Sequence, residues 1–163
     1  MRALRDDEVA LFKTLRLSAL ADAPDAFART LAHAAAQPAS YWEELTRSMT
    51  APGGQVMFVA EDGPRAVGLV FGLLDRAQPT VGRVGGMWVA PEARGRGAGL
   101  ALLDAVLGWA RTRGLDRLEL WVTEGNSAAV RLYRRAGFVE TGARDVLPAN
   151  EALATVQMAL ALY

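Results

Sequence analysis

The chain has 163 residues, 52% of them hydrophobic, and 18 basic against 18 acidic residues leave no formal net charge. That length suits a single domain over residues 1–163 with a real core, and that balance argues against a nucleic-acid binder relying on bulk positive charge. Without cysteine, and with His33 as the single histidine, disulfides, thiolate or histidine metal clusters and a cysteine nucleophile are excluded.

Residues 1–5 read as a short edge strand. The early acids Asp6, Asp7 and Glu8 do not fit a signal peptide. No apolar run approaches the roughly 20 residues of a membrane span. The expectation is a soluble cytoplasmic protein with no membrane, nucleic-acid or metal partner. Asp6 or Asp7 is placed to cap a helix running to about Leu20, along which Val9, Phe12, Leu15, Arg16 and Ala19 recur near helical spacing. From Ala21 to Pro38 the chain is alanine-rich and broken by Pro24 and Pro38, which predicts a loop with a short helix around Phe27 to Ala35. Ser40 then reads as the cap of a helix from Tyr41 to about Ser48, with Glu43 completing a capping box.

After Pro52-Gly53-Gly54 the texture changes to strand. Gln55–Glu61 and Ala66–Leu74 flank the turn Asp62-Gly63-Pro64-Arg65, a hairpin signal. A third strand covers about Thr80 to Ala90, followed by a glycine-rich turn and a helix over 98–113. Beyond them lie a strand Arg117–Val122, a helix Ser127–Ala136 and two closing strands at about 138–146 and 152–162. Leu118, Leu120 and Val122 face one way along their strand, Glu119 and Trp121 the other. The order β-αα-βββ-α-β-α-ββ, without internal repeats, predicts an α+β fold with a mixed sheet flanked by helices.

The glycine-rich turn is Arg94-Gly95-Arg96-Gly97-Ala98-Gly99. A turn of this kind opening a helix presents unpaired amide N–H groups and the positive end of a helix dipole, which favour a phosphate. Arg94 and Arg96 add charge for the same anion. A Walker loop needs a terminal Gly-Lys-Ser/Thr, which is missing. The dinucleotide fingerprint Gly-x-Gly-x-x-Gly fails in both registers, because its third glycine falls on Leu100 or Leu102. The remaining pattern, Arg/Gln-x-x-Gly-x-Gly/Ala, is met by Arg94, Gly97 and Gly99. A surface turn needing glycine only for its dihedrals is the plain alternative.

A second constellation follows the strand 117–122. Asn126 can cap its helix and Gly137 can end it, while Asn126, Ala129 and Tyr133 align on one face. A small residue between an amide and a phenol leaves room for a ligand to pass close to the helix. With both motifs, the chain resembles the GNAT superfamily, the Gcn5-related N-acetyltransferases. Met87-Trp88-Val89 with Pro91 and residues 94–99 is similar to that family's acetyl-CoA signature. Asn126, Ala129, Leu132-Tyr133 and Gly137-Phe138 are similar to its second signature.

The resemblance implies the GNAT acyl-CoA N-acyltransferase fold and acetyl-CoA as co-substrate. It implies that amides of Arg94, Gly95, Arg96, Gly97, Ala98 and Gly99 hold the pyrophosphate. The pantetheine arm would then pair with the strand end Met87-Trp88-Val89, with Gly85 and Gly86 easing a bulge. Asn126 would bind that arm, Ala129 would pack on it, and Tyr133 would donate a proton or hydrogen bond to the departing thiolate. Arg134 is in reach of the 3′-phosphate or simply solvated. Glu124 and Glu61 are the candidates for a general base, and His33 reads as a surface residue. Leu17 to Trp42 and Arg144 to Ala154 would build the acceptor pocket, with Phe27, Tyr41 and Trp42 as lining or core residues. No acidic cluster suited to a polycationic acceptor is present. The implied activity is acetyl transfer to the primary amine of a small molecule or protein by direct attack in a ternary complex. The competing readings are a non-catalytic acyl-CoA-binding module and, more distantly, a dinucleotide-binding protein. A homodimer is compatible with the family, but no residue pattern specifies it.

Overall fold

The computed structural model describes all 163 residues. Its elements are β1 (Arg2–Ala3), α1 (Val9–Asp22), α2 (Leu31–Ala35), α3 (Ala39–Thr50), β2 (Val56–Asp62), β3 (Arg65–Leu74), β4 (Val81–Val89), α4 (Ala98–Thr112), β5 (Arg117–Thr123), α5 (Ser127–Arg135), β6 (Val139–Leu147) and β7 (Asn150–Ala161). Single 3-10 turns occupy Pro24–Ala26 and Pro91–Ala93. The strands form one mixed sheet in the order β1-β2-β3-β4-β5-β7-β6, in which only the β4–β5 pair is parallel.

Helices cover both faces of the central strands, and β3 shows why. Residues Val67 to Gly72 are all buried, the continuous apolar run expected of a strand covered on both sides. Phe71 meets Phe12 of α1 edge-on with ring centroids 5.6 Å apart, and Phe12 in turn meets Trp42 of α3 at 5.9 Å. Neighbouring Gly72 faces the other way, where an added Cβ would lie 2.8 Å from the Trp109 ring of α4. The first helices therefore pack on one face and α4 on the other. Trp42, Phe12, Leu102 and Leu103 are essentially fully buried between these layers. Truncating an aromatic of this kind typically costs about 3–5 kcal/mol.

Two irregularities shape the functional region. The parallel register of β4 with β5 covers only Val81–Arg83 against Arg117–Glu119, after which the two strands diverge. Opposite that gap the β3–β4 register slips, because Leu69 pairs with Trp88 while Phe71 pairs with Gly85. Gly86 and Met87 together face Val70, a bulge with Gly86 at φ +60°. A Cβ on Gly86 would lie 2.4 Å from the Phe71 ring, so sterics and dihedral both demand glycine there.

Several predicted helix starts shift. Neither Asp6 nor Asp7 caps α1. Glu8 stands at the N-cap, and its carboxylate binds Arg2 at 2.8 Å and the Arg5 amide at 2.9 Å instead of the helix. α1 also runs on to Asp22. Ser40 lies inside α3, which opens one residue earlier behind Pro38, whose φ of −70° is preset for helix entry. No capping box forms. The loop helix shrinks to Leu31–Ala35, capped by Thr30, whose Oγ1 accepts the His33 amide at 3.1 Å.

Candidate functional site

The β4–β5 divergence opens into a cleft of about 550 Å³. Met87, Trp88 and Val89 form one wall, the turn 94–99 closes one end, and Asn126, Ala129 and Tyr133 of the α5 segment face across. Gly99 is where the layers meet most tightly, for a Cβ there would sit 3.0 Å from Leu132 and 3.4 Å from Met87. Most residues singled out from two separate motifs thus line one cavity, whereas Pro91, Arg96, Gly137 and Phe138 stand outside it.

At the closed end the first intrahelical bond of α4 runs from the Ala101 amide to the Gly97 carbonyl at 3.0 Å. Ahead of it, the amides of Gly95 through Leu100 have no backbone partner. Gly95 at φ +75° and Gly97 at φ +88° give the turn the left-handed backbone that glycine favours. Successive N–H groups at a helix start form an anion-binding concavity reinforced by the dipole.

The two arginines of the turn do something else. The Arg94 amide bonds the Pro91 carbonyl at 3.3 Å, its Nε donates to the Val89 carbonyl at 2.9 Å, and its terminal nitrogen pairs with Asp22. Arg96 pairs with Asp62 at 3.3 Å on the surface. Both guanidinium groups of the turn thus have a carboxylate partner within the protein, and the Arg94 amide has a backbone one. Asp22, at the last residue of α1, also accepts the Trp88 indole N–H at 2.9 Å. These hydrogen bonds, the Trp88 one foremost, hold its carboxyl below the ordinary aspartate range. One carboxylate thus ties β4, the turn and α1 together, a link between distant segments that no local pattern announces.

On the facing side, the Asn126 carboxamide oxygen accepts the Ala129 amide at 3.3 Å and caps α5, which leaves its NH₂ as the group it can offer to the cleft. Tyr133 is buried with its ring edge-on to Phe138 at 6.0 Å. Burial alone pushes its phenol up to about 12, so the proton stays on oxygen at neutral pH. Arg134 ion-pairs with Glu140 at 2.7 Å away from the cleft, and Arg135 lines the cleft in its place.

A second chamber of about 540 Å³ adjoins the cleft, with Phe27, Gly85, Gly86 and Trp121 lining both. Tyr41 and Trp42 line it, as do Asp145 to Pro148 from the closing hairpin. Two carboxylates line it, Asp145 and Glu119, the latter held by Arg117 at 2.8 Å and by the Gln157 amide at 3.2 Å. The two acids read from sequence do not: Glu61 ion-pairs with Arg2 at 2.8 Å and Glu124 with Arg144 at 2.8 Å, both outside the cavities. His33 is exposed, within 3.0 Å of Arg29.

The chamber's unexpected feature is Arg16. Its guanidinium lies 4.8 Å from the Phe27 ring centroid and 5.5 Å from that of Phe71, while Nη1 is buried without a hydrogen-bond partner. Desolvation pushes the group down to about 10, so it remains cationic at neutral pH. Contact with two ring faces is worth roughly 0.5–2 kcal/mol, whereas leaving a charged donor unsatisfied costs about 1–3 kcal/mol or more. The signal available in sequence was a charge on the apolar face of the first helix.

The fold is shared with known proteins. The model of the acetyltransferase (GNAT) family matches residues 19–138. Mycothiol acetyltransferase of Thermobispora bispora is 37% identical over 138 residues, 82% of this chain and 43% of that protein. The chain thus spans less than half the length of that relative. The fold superposes on ribosomal-protein-alanine N-acetyltransferase from Brucella melitensis with a TM-score of 0.79 at 22% identity, covering 99% and 98% of the two chains. It also matches yncA, a putative acetyltransferase from Salmonella typhimurium solved with its cofactor acetyl-CoA, at TM-score 0.80 and 19% identity over 99% and 92% of the chains. With the family model covering most of its length and the same architecture recurring in those crystal structures, the chain belongs to the acetyltransferase (GNAT) family.

Proposed function

We propose that the chain transfers the acetyl group of acetyl-CoA to a primary amine by direct attack within a ternary complex. The observation that carries this reading is the row of unpartnered amides from Gly95 to Leu100 at the end of a cleft between diverging strands. The pyrophosphate fits the amides at the helix start. The pantetheine amides fit the unpaired edge of β4 along Met87, Trp88 and Val89, as an added strand would. Ala129 leaves space for the arm, and the Asn126 NH₂ donates to it. Arg135 is the basic side chain at the cleft suited to the 3′-phosphate.

The acceptor enters through the chamber and meets the thioester near the Gly86 bulge. Its nitrogen forms the new C–N bond as the C–S bond breaks, and the amine proton leaves toward Glu119, directly or through water. The electron pair departs on sulfur. Tyr133 faces that sulfur as a hydrogen-bond donor. A phenol raised to about 12 lies well above a thiol near 8.5, so it stabilises the thiolate without surrendering its proton fully. The name of the mycothiol acetyltransferase relatives agrees with a small-molecule acceptor.

Calorimetry with acetyl-CoA, followed by thiol release against a panel of primary amines, tests the proposal. Saturable binding and amine-dependent release are expected. Absence of binding at millimolar concentration overturns it, and binding without release on any amine selects the non-catalytic module.

A further inference from the structure

We infer that the acceptor is an anionic amine: a small molecule whose carboxylate is held by the Arg16 guanidinium at the chamber wall. The inference rests on the acetyltransferase reading and adds the chemical class of the second substrate. Three observations support it. Arg16 lines the chamber, makes no ion pair, and its Nη1 has no hydrogen-bond partner in the protein. The two rings that flank it, Phe27 and Phe71, both line the chamber, so the cation sits in the chamber wall. The surrounding charges point the same way. Arg29 is close enough to oppose the Arg16 charge, Glu119 is held by Arg117 and Gln157, and the other lining carboxylate, Asp145, is exposed on the closing hairpin.

A fold retains an unsatisfied buried guanidinium where something else completes it. A carboxylate matches it bidentately, and apolar walls from Leu20, Trp42, Leu45 and Met49 strengthen that pairing by excluding water. A polyamine meets two arginines instead and is repelled. The occluded Trp42 indole N–H is a second donor on the same wall without a partner in the protein.

The test compares matched acceptors with the wild-type chain and with Arg16→Gln and Arg16→Lys. The panel is glycine, β-alanine, γ-aminobutyrate, L-leucine and L-phenylalanine, each beside its amide, plus spermidine. The expected result is that at least one amino acid exceeds its amide by roughly 30-fold or more in kcat/KM. Arg16→Gln should erase that ratio through KM, Arg16→Lys should retain part of it, and acetyl-CoA affinity should stay within about twofold. Should the glutamine variant fail to fold, calorimetry of the wild-type chain saturated with CoA supplies the same answer, comparing N-acetyl-leucine with its amide. Amides or spermidine used as well as the acids, or a ratio unchanged by Arg16→Gln, overturns the anionic acceptor alone. No acetyl-CoA binding, or no transfer to any amine, overturns the transferase reading and this inference with it.

Discussion

The cleft beside α4 and the chamber beneath α1 and α3 are almost equal in volume, about 550 and 540 Å³, and meet at the Gly86 bulge. In the cleft, the turn arginines pair with Asp22 and Asp62, and the distinctive groups facing a ligand are unpartnered backbone amides. In the chamber the distinctive group is a side chain, the unpaired guanidinium of Arg16. Backbone amides arranged by glycine bind any diphosphate of the right shape, so this half can be common to many transferases. A single buried guanidinium discriminates between acceptors and can be changed without touching the cleft. On the proposed reading, cofactor recognition is conformational whereas acceptor choice is electrostatic.

Substitutions separate the two halves. Gly97→Val places a branched side chain at φ +88° and misdirects the amides, so acetyl-CoA affinity should fall by about 100-fold or more, read by calorimetry. Tyr133→Phe should lower kcat by roughly 100-fold while leaving acetyl-CoA affinity within about twofold, and equal kcat in both proteins would remove the phenol from the mechanism. The same variant carries a pH signature. A phenol raised in the folded state to about 12 favours folding below its unfolded value near 10, and that contribution is lost as pH climbs from about 10 toward 12. Tyr133→Phe should therefore resist alkaline unfolding better than the wild type in that window.

A smaller effect is expected at the brace between the halves. Asp22→Asn keeps an acceptor for the Trp88 indole but loses the Arg94 ion pair, and should raise the KM for acetyl-CoA by about 3- to 10-fold. Because the Asp22 carboxyl is held below its ordinary range, its stabilisation is present above the unfolded value near 3.9. It disappears as pH falls through the lower folded value. The smallest effect is predicted for Glu61→Gln and Glu124→Gln, whose kcat should match the wild type within about twofold since neither lines a cavity. A large loss in either would remove Glu119 from its place as proton acceptor.

Much of the cleft could be read before any coordinates, because each half of it is a local pattern. Glycines at the α4 start and the Asn126, Ala129, Tyr133 face of α5 follow from turn dihedrals and helical periodicity alone. Phe27, Tyr41 and Trp42 were also recognisable as possible chamber residues. The helix starts at Glu8 and Pro38 were not, since a capping side chain can serve another partner, as Glu8 does with Arg2 and Arg5. The partners of Arg94 and Arg96 were hidden for the same reason. A guanidinium next to a phosphate loop looks available until a carboxylate 72 or 34 residues away is found beside it.

By itself, then, the amino-acid order determined the succession of helices and strands, the hairpin turn, the positive-φ glycines and the face of α5 turned to the cleft. All depend on neighbours within a few residues, where dihedral preference and periodicity act. Tertiary structure alone decided which charges are spent and which are free: Asp22 on Arg94 and Trp88, Arg117 on Glu119, and nothing on Arg16. Electrostatic pairing depends on distance in space and on exclusion of water, and neither is set until the layers close around the sheet.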